Sequence, residues 1–198
     1  MKIELLMDGF LNSSSNPNHN AIMLKEKDGD RKIMLSLGLF EAQGIATALK
    51  EIVVERPLAH DLFEPVTAAF GINLNGIEVY DVVDGTFHAY LCYERDGEEK
   101  RIDARLSDAL AIALRVGASV YIEEELLNSC LVTDMGDGKF SVPVTFARME
   151  TLHEAFDLAI REEKYELAKQ LKEEIEAREK ALEQGGAAGE NDETDDKE

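Results

Sequence analysis

A chain of 198 residues with 44% hydrophobic content has room for one full domain and an appendage. No apolar run reaches the ~18 residues that span a bilayer, and Met1-Lys2-Ile3-Glu4 lacks a signal peptide's basic and apolar start, so a cytoplasmic protein with no membrane partner is expected. The 41 acidic residues against 21 basic ones, a net charge of -20, argue against passive coating of DNA or RNA, which rests on Lys and Arg neutralising phosphates; they leave room for a nucleic-acid enzyme.

Residues 1–6 alternate weakly and predict a first strand. Residues 12–20, rich in Asn and Ser and carrying Pro17, predict a loop in which His19 is solvated. Residues 21–25 and 32–37 flank Asp28-Gly29, a hairpin signal. A helix is expected over 41–52, with Ile45, Ala48, Leu49 and Ile52 on one face and Phe40 packing at its start. Pro57 forces an extended entry to a second helix that ends at Gly71; Pro65 marks a late start or a kink in its first turns. Strands over 77–83 and 86–94 surround Asp84-Gly85, and Asp96-Gly97 leads to a strand over 99–103.

The next helix is the clearest signal in the chain. Ser107 is an N-cap candidate, Asp108 falls in the first turn, and Gly117 stands where a C-terminal glycine belongs. Leu110, Ala113 and Leu114 recur at helical spacing and predict a core-facing side. Asp103 and Arg105 come off the end of the preceding strand, so four polar side chains converge on one strand-to-helix junction. A strand over 119–122 and a short helix over 123–128 follow. Residues 131–149 read as a connector with a small strand near Phe140. Residues 150–184 read as an antiparallel helical hairpin, broken at Arg161-Glu162-Glu163-Lys164, and residues 185–198 as a disordered acidic tail. The class is α+β: a compact mixed sheet with packed helices over 1–130, then the hairpin. Cys92 and Cys130 sit in no zinc or Cys-x-x-Cys spacing and are expected as reduced thiols.

Leu39-Phe40-Glu41-Ala42-Gln43, then Arg56-Pro57-Leu58-Ala59-His60-Asp61-Leu62, Asp84-Gly85-Thr86-Phe87, and Ile102-Asp103-Ala104-Arg105 with Ser107-Asp108-Ala109 resemble, in order and spacing, the bifunctional nuclease domain family. The resemblance implies a self-associating α+β domain that hydrolyses DNA and RNA. Family members usually carry Thr where this chain has Ala59, so the cap of the following helix is expected to differ. Tyr165-Glu166-Leu167-Ala168-Lys169-Gln170-Leu171-Lys172-Glu173-Glu174-Ile175 resembles the UVR motif, which implies protein–protein contact.

Phosphodiester hydrolysis needs charge neutralised on phosphate, an activated water and a stabilised leaving oxygen, all of which a carboxylate-held metal supplies. Within the matched motifs the expected catalytic residues are His60, Asp61, Asp103 and Asp108; Arg56, Arg105 and Ser107 are expected to bind substrate. Glu41, Asp61, Asp103 and Asp108 are the metal-ligand candidates for Mg2+ or Mn2+, with no organic cofactor. Phe156, Tyr165, Leu171 and Ile175 are expected to contact a protein partner or a second copy. Each residue also has a plain structural use. Asp108 and Ser107 cap a helix, Glu41 suits a helix start, and Asp103 and Arg105 pair with each other or with His60 to hold the junction. The competing function is therefore a non-catalytic regulatory or adaptor protein in which both modules serve assembly.

Overall fold

Alternation of apolar and polar residues builds the main sheet. In the strand Thr86–Arg95, the side chains of Phe87, Ala89, Leu91 and Tyr93 are buried while the residues between them are partly exposed, the period of two of a sheet covered on one face. The computed structural model describes residues 1–12, 20–50, 52, 55–136 and 139–186. The expected loop around His19 and the far end of the expected acidic tail lie outside the described residues.

Seven strands form this sheet: β1 (Lys2–Asn12), β2 (Asn20–Glu26), β3 (Lys32–Leu37), β4 (Asn73–Val83), β5 (Thr86–Arg95), β6 (Glu98–Arg105) and β7 (Ser119–Glu123). Their order is β3-β2-β1-β7-β4-β5-β6, with β4 and β7 parallel and every other pair antiparallel. The register aligns apolar rows across the strands. Leu24 faces Ile33, Ile3 faces Ile122, and Ile77 lies between Val120 and Leu91. The turns Asp84-Gly85 and Asp96-Gly97 hold both residues at positive φ, 48° and 69°, then 52° and 82°, as two-residue hairpins with right-handed twist require. A further pair, β8 (Thr133–Gly136) and β9 (Lys139–Ser141), forms in the stretch expected to be a connector.

Four helices accompany the sheet: α1 (Leu39–Leu49), α2 (Phe63–Ala69), α3 (Leu106–Val116) and α4 (Glu124–Ser129). α3 is the most buried, with Leu106, Ala109, Leu110, Ala111, Ile112 and Ala113 all nearly inaccessible. Its alanines let it lie close against α1 and β4 to β7. Gly117, at φ 69°, ends it in the left-handed conformation.

Several sequence expectations need correction. Ser107 does not cap α3: the N-cap is Arg105, and Ser107 is buried inside the first turn, so its hydroxyl is not presented to substrate. Phe40 is 84% exposed rather than packed, and Leu49 and Ile52 also face solvent. α1 begins at Leu39 and ends at Leu49, so Ile52 lies beyond the face it was assigned to. Between Leu58 and α2 the chain makes a 3-10 turn, Ala59–Leu62, and α2 starts only two residues before Pro65. The proline thus sits in the first turn, where its missing donor costs little.

The chain divides into two compact units, the first ending at Pro143 and the second beginning at Val144. In the second, α5 (Met149–Arg161) and α6 (Tyr165–Gly186) pair around Leu152, Ala159, Ala168, Leu171 and Ile175. Glu163 turns the chain between them with φ 59°. This overturns part of the expected partner surface. Leu171 and Ile175 are buried between the two helices, and Phe156 packs against the same cluster; of the four expected residues Tyr165 alone is exposed. Among the described residues of this unit, the large apolar side chains that do face solvent are Leu158, Ile160, Tyr165 and Leu167, all close to the turn. Arg178 is the buried charge among the described residues of this unit. Its guanidinium donates to the carbonyls of Ala147 (2.6 Å), Val144 (3.0 Å) and Thr145 (2.8 Å) and to Glu174 Oε1 (2.7 Å).

Candidate functional site

Three elements meet at the end of edge strand β6: the start of α3, the start of α1 and the 3-10 turn. Arg105, the last residue of β6, donates through Nε to Asp108 Oδ2 (3.0 Å) and through Nη1 to Glu41 Oε1 (3.0 Å). The Arg105–Asp108 contact spans three residues and follows from the turn of the helix. Glu41 is fixed by its own helix start, where its second oxygen accepts the Gly38 N–H. His60 completes the cluster, its Nε2 lying 3.6 Å from Asp108 Oδ1. That separation is longer than a hydrogen bond. The Arg105 side chain is 56% exposed and Glu41 17%, so the cluster shows solvent a guanidinium backed by carboxylates.

Gly44 makes room for His60. A Cβ at residue 44 would stand 3.3 Å from both Cε1 and Nδ1 of the imidazole, so α1 carries a glycine in its interior despite the helix-propensity cost.

Asp61 belongs to the turn that carries His60, and its carboxylate is bound elsewhere. Leu58 N–H donates to Oδ2 (2.6 Å), closing the turn's start, and Arg115 Nε–H donates to Oδ1. The turn has no side-chain cap on its own first N–H groups, its N-cap being Leu58. Arg115, with only a tenth of its side chain exposed, also donates to the carbonyls of Gly44 (3.2 Å) and Ala111. It therefore ties the His60 turn to α1 and α3. The Arg115 guanidinium, helped by the Leu58 N–H, holds the Asp61 carboxyl below its ordinary value. Because the folded value is depressed, this contact stabilises the protein fully above the unfolded carboxyl value of ~3.9. The contribution is lost as pH falls through the lower folded value. In Asp61→Asn, urea unfolding from neutral pH down to acid should show a lower plateau and a weaker fall at its acid end than in the parent chain.

Asp103 leaves the same side of β6 as Arg105 but binds a different partner. Its Oδ1 accepts the Tyr80 hydroxyl (2.9 Å), and this bond, with burial, raises the Tyr80 phenol to about 12. The expected Asp103–Arg105 pair is not formed. Arg56 is exposed, with no ion pair among the described residues.

Glu41, His60, Arg105 and Asp108 thus come together, while Asp61 and Asp103 turn away from them. Among the described residues, no three His, Cys, Asp or Glu side chains group as a metal centre requires. Each expected ligand is engaged by a guanidinium or a phenol instead. The side chains as arranged do not fit a Mg2+ or Mn2+ site made of Glu41, Asp61, Asp103 and Asp108. A larger cavity of about 650 Å³ lies elsewhere, between Phe63 and Val66 of α2 and Tyr93, Lys100 and Ile102 of the sheet. It shares no residue with the cluster.

Arg115 and Gly44 were not singled out by sequence. Arg115 in the last turn of α3 reads as an ordinary partner for the helix dipole, and Gly44 as a weak point in a helix.

An α+β domain with an arginine, two carboxylates and an imidazole at the meeting of a strand end and two helix starts is the class that this fold and site define. The chain belongs to the bifunctional nuclease domain family, which matches residues 22–135. It is similar to two proteins of Mycobacterium tuberculosis, the uncharacterized proteins Rv1829 (strain H37Rv) and MT1877 (strain CDC 1551). Each is 35% identical over 142 residues, covering 71% of this chain and 85% of theirs. No helix among the described residues is long and apolar enough to cross a membrane.

Proposed function

We propose that this chain hydrolyses phosphodiester bonds of DNA and RNA at the cluster of Glu41, His60, Arg105 and Asp108. The observation that carries this is the exposed Arg105 guanidinium, held between two carboxylates with an imidazole 3.6 Å from one of them. Glu41 and Asp108 orient the guanidinium, whose remaining N–H groups take the phosphate oxygens and stabilise the charge that builds there. His60 takes a proton from the attacking water, and Asp108 balances the imidazolium that forms. The same proton then passes to the leaving oxygen.

The test is hydrolysis of labelled DNA and RNA by the purified full chain and by Asp108→Asn. Cleavage by the parent and its loss in the folded variant is the expected result. Full activity in Asp108→Asn would overturn the assignment. Parallel reactions with EDTA, Mg2+ or Mn2+ read whether a divalent ion takes part. A second reading is favoured by the closure of the ion-pair network: each carboxylate already has a protein partner, as in a purely structural junction. The folded parent would then cleave no substrate under any of these conditions, and the chain would be an adaptor.

Gly44→Ala separates the two. It should gain up to about 1 kcal/mol of helix propensity while pushing the His60 ring by a few tenths of an ångström. Unchanged or raised stability with reduced cleavage is expected, whereas an adaptor has no cleavage to lose.

The α5–α6 pair, which resembles the UVR motif, is assigned to protein contact, with the exposed Leu158, Ile160, Tyr165 and Leu167 near its turn as the contact surface.

A further inference from the structure

The sheet face opposite α3 carries an aromatic row. Tyr80 and Tyr90 stack with ring centroids 4.1 Å apart and planes 13° from parallel, and His88 meets Tyr80 edge-on at 6.1 Å. Tyr121 lies across Glu78 from Tyr90, because Glu78 pairs with Tyr90 on one side and with Tyr121 on the other. Gly76 leaves space for the Tyr121 ring, which a Cβ there would approach within 3.4 Å.

Between the tyrosines sits a pocket of about 70 Å³, lined among others by Lys2, Glu78, Tyr80, Tyr90, Arg101 and Tyr121. A second pocket, of about 110 Å³, shares Glu78, Arg101 and Tyr121. Arg101 stands 5.9 Å over the Tyr90 ring and pairs with Glu78 (3.1 Å), which also accepts from Lys2. Two cations therefore share one carboxylate between aromatic walls.

The row runs on to the hydrolytic cluster. Tyr90 pairs with Asp103 and His88 with Arg105 in the ladder between β5 and β6.

We propose that this face is a stacking platform for single-stranded nucleic acid, with nucleobases against Tyr80 and Tyr121, with Tyr90, held between Tyr80 and Arg101, supporting the stack, and with the strand continuing to Arg105; the proposal rests on the phosphodiester reading of that cluster. Stacking tolerates any base and needs unpaired ones. Glu78 and Arg101 offer one acceptor and one set of donors to base edges. A duplex hides the faces of its bases and gains nothing here. The few cations present make phosphate attraction a minor contributor, so affinity should fall only shallowly with salt.

Binding is measured by fluorescence anisotropy of a labelled single strand and of its duplex, on the full chain carrying Asp108→Asn so that the strand stays intact. The parent should prefer the single strand. Tyr90→Ala and Tyr121→Ala should weaken that binding about 5- to 150-fold, the range for loss of one stacked base, while Tyr90→Phe and Tyr121→Phe keep it. The chain has no tryptophan, so tyrosine emission in the unsubstituted protein gives a readout independent of any variant's folding. Saturable quenching by single strand and not by duplex is expected. Equal binding by folded alanine variants, equal affinity for duplex, or no quenching overturns the platform. Hydrolysis of bis(p-nitrophenyl) phosphate by the parent, which needs no platform, is read separately: its absence would count against the cluster and not against the platform.

Discussion

His60→Gln is expected to lower phosphodiester hydrolysis by about 10²- to 10⁴-fold, the usual range for loss of a positioned general base. The substitution keeps a polar side chain beside Gly44 and leaves Arg105 bound to Glu41 and Asp108. Thermal stability should therefore change by no more than about 0.5 kcal/mol, as at other partly exposed positions. Asp108→Asn should cost a similar factor, because Asp108 contacts both the imidazole and the guanidinium. The double variant should be little worse than either single one, since groups that act as a unit are not additive. Steady-state rates on one oligonucleotide, with melting temperatures of all three proteins, decide the matter. Retention of activity within a few-fold in His60→Gln would leave the cluster as a structural junction.

Arg178→Met is expected to unfold the second unit while the first stays intact. Three backbone carbonyls lose their donor, and Glu174 loses its partner. Breaking a buried pair of this kind costs about 3–5 kcal/mol, comparable to all the stability that a small helical pair commands. Methionine retains much of the stem's apolar packing, so the loss reports on the polar contacts. Hydrogen exchange should show Met149–Arg161 and the first turns of α6 losing protection in the variant, with α3 and β5 unchanged. A companion chain ending at Pro143 should melt as the parent's first unit does. A large fall in its melting temperature would mean that the two units share a core, and protection of α5 in Arg178→Met would mean that the apolar cluster alone suffices.

Sequence determined much of the frame, for local reasons. The apolar run over 86–94 placed β5, and Asp-Gly pairs placed two hairpins because both residues of such a turn must take positive φ. Gly117 ended α3 where its left-handed conformation requires. Asp108 fell beside Arg105 because three residues on a helix start are neighbours. The family motifs led to the residues of the cluster, each already close in sequence to a helix start or strand end.

What lay beyond reach were choices made between distant segments. Glu41 and Arg105 are 64 residues apart, and only the packing of α1 on α3 brings them together. Asp61 took Arg115 as its partner and Asp103 took Tyr80, so two of the four expected metal ligands were drawn away from Glu41 and Asp108, which share Arg105. Ser107 was drawn inside by the burial of α3, and Leu171 and Ile175 by the closure of α5 on α6. A charged side chain pairs with whichever opposite charge or donor the fold leaves within reach, and an apolar face is buried or exposed according to what packs on it. Local pattern carries neither fact, because both depend on distances that exist only once the chain has folded.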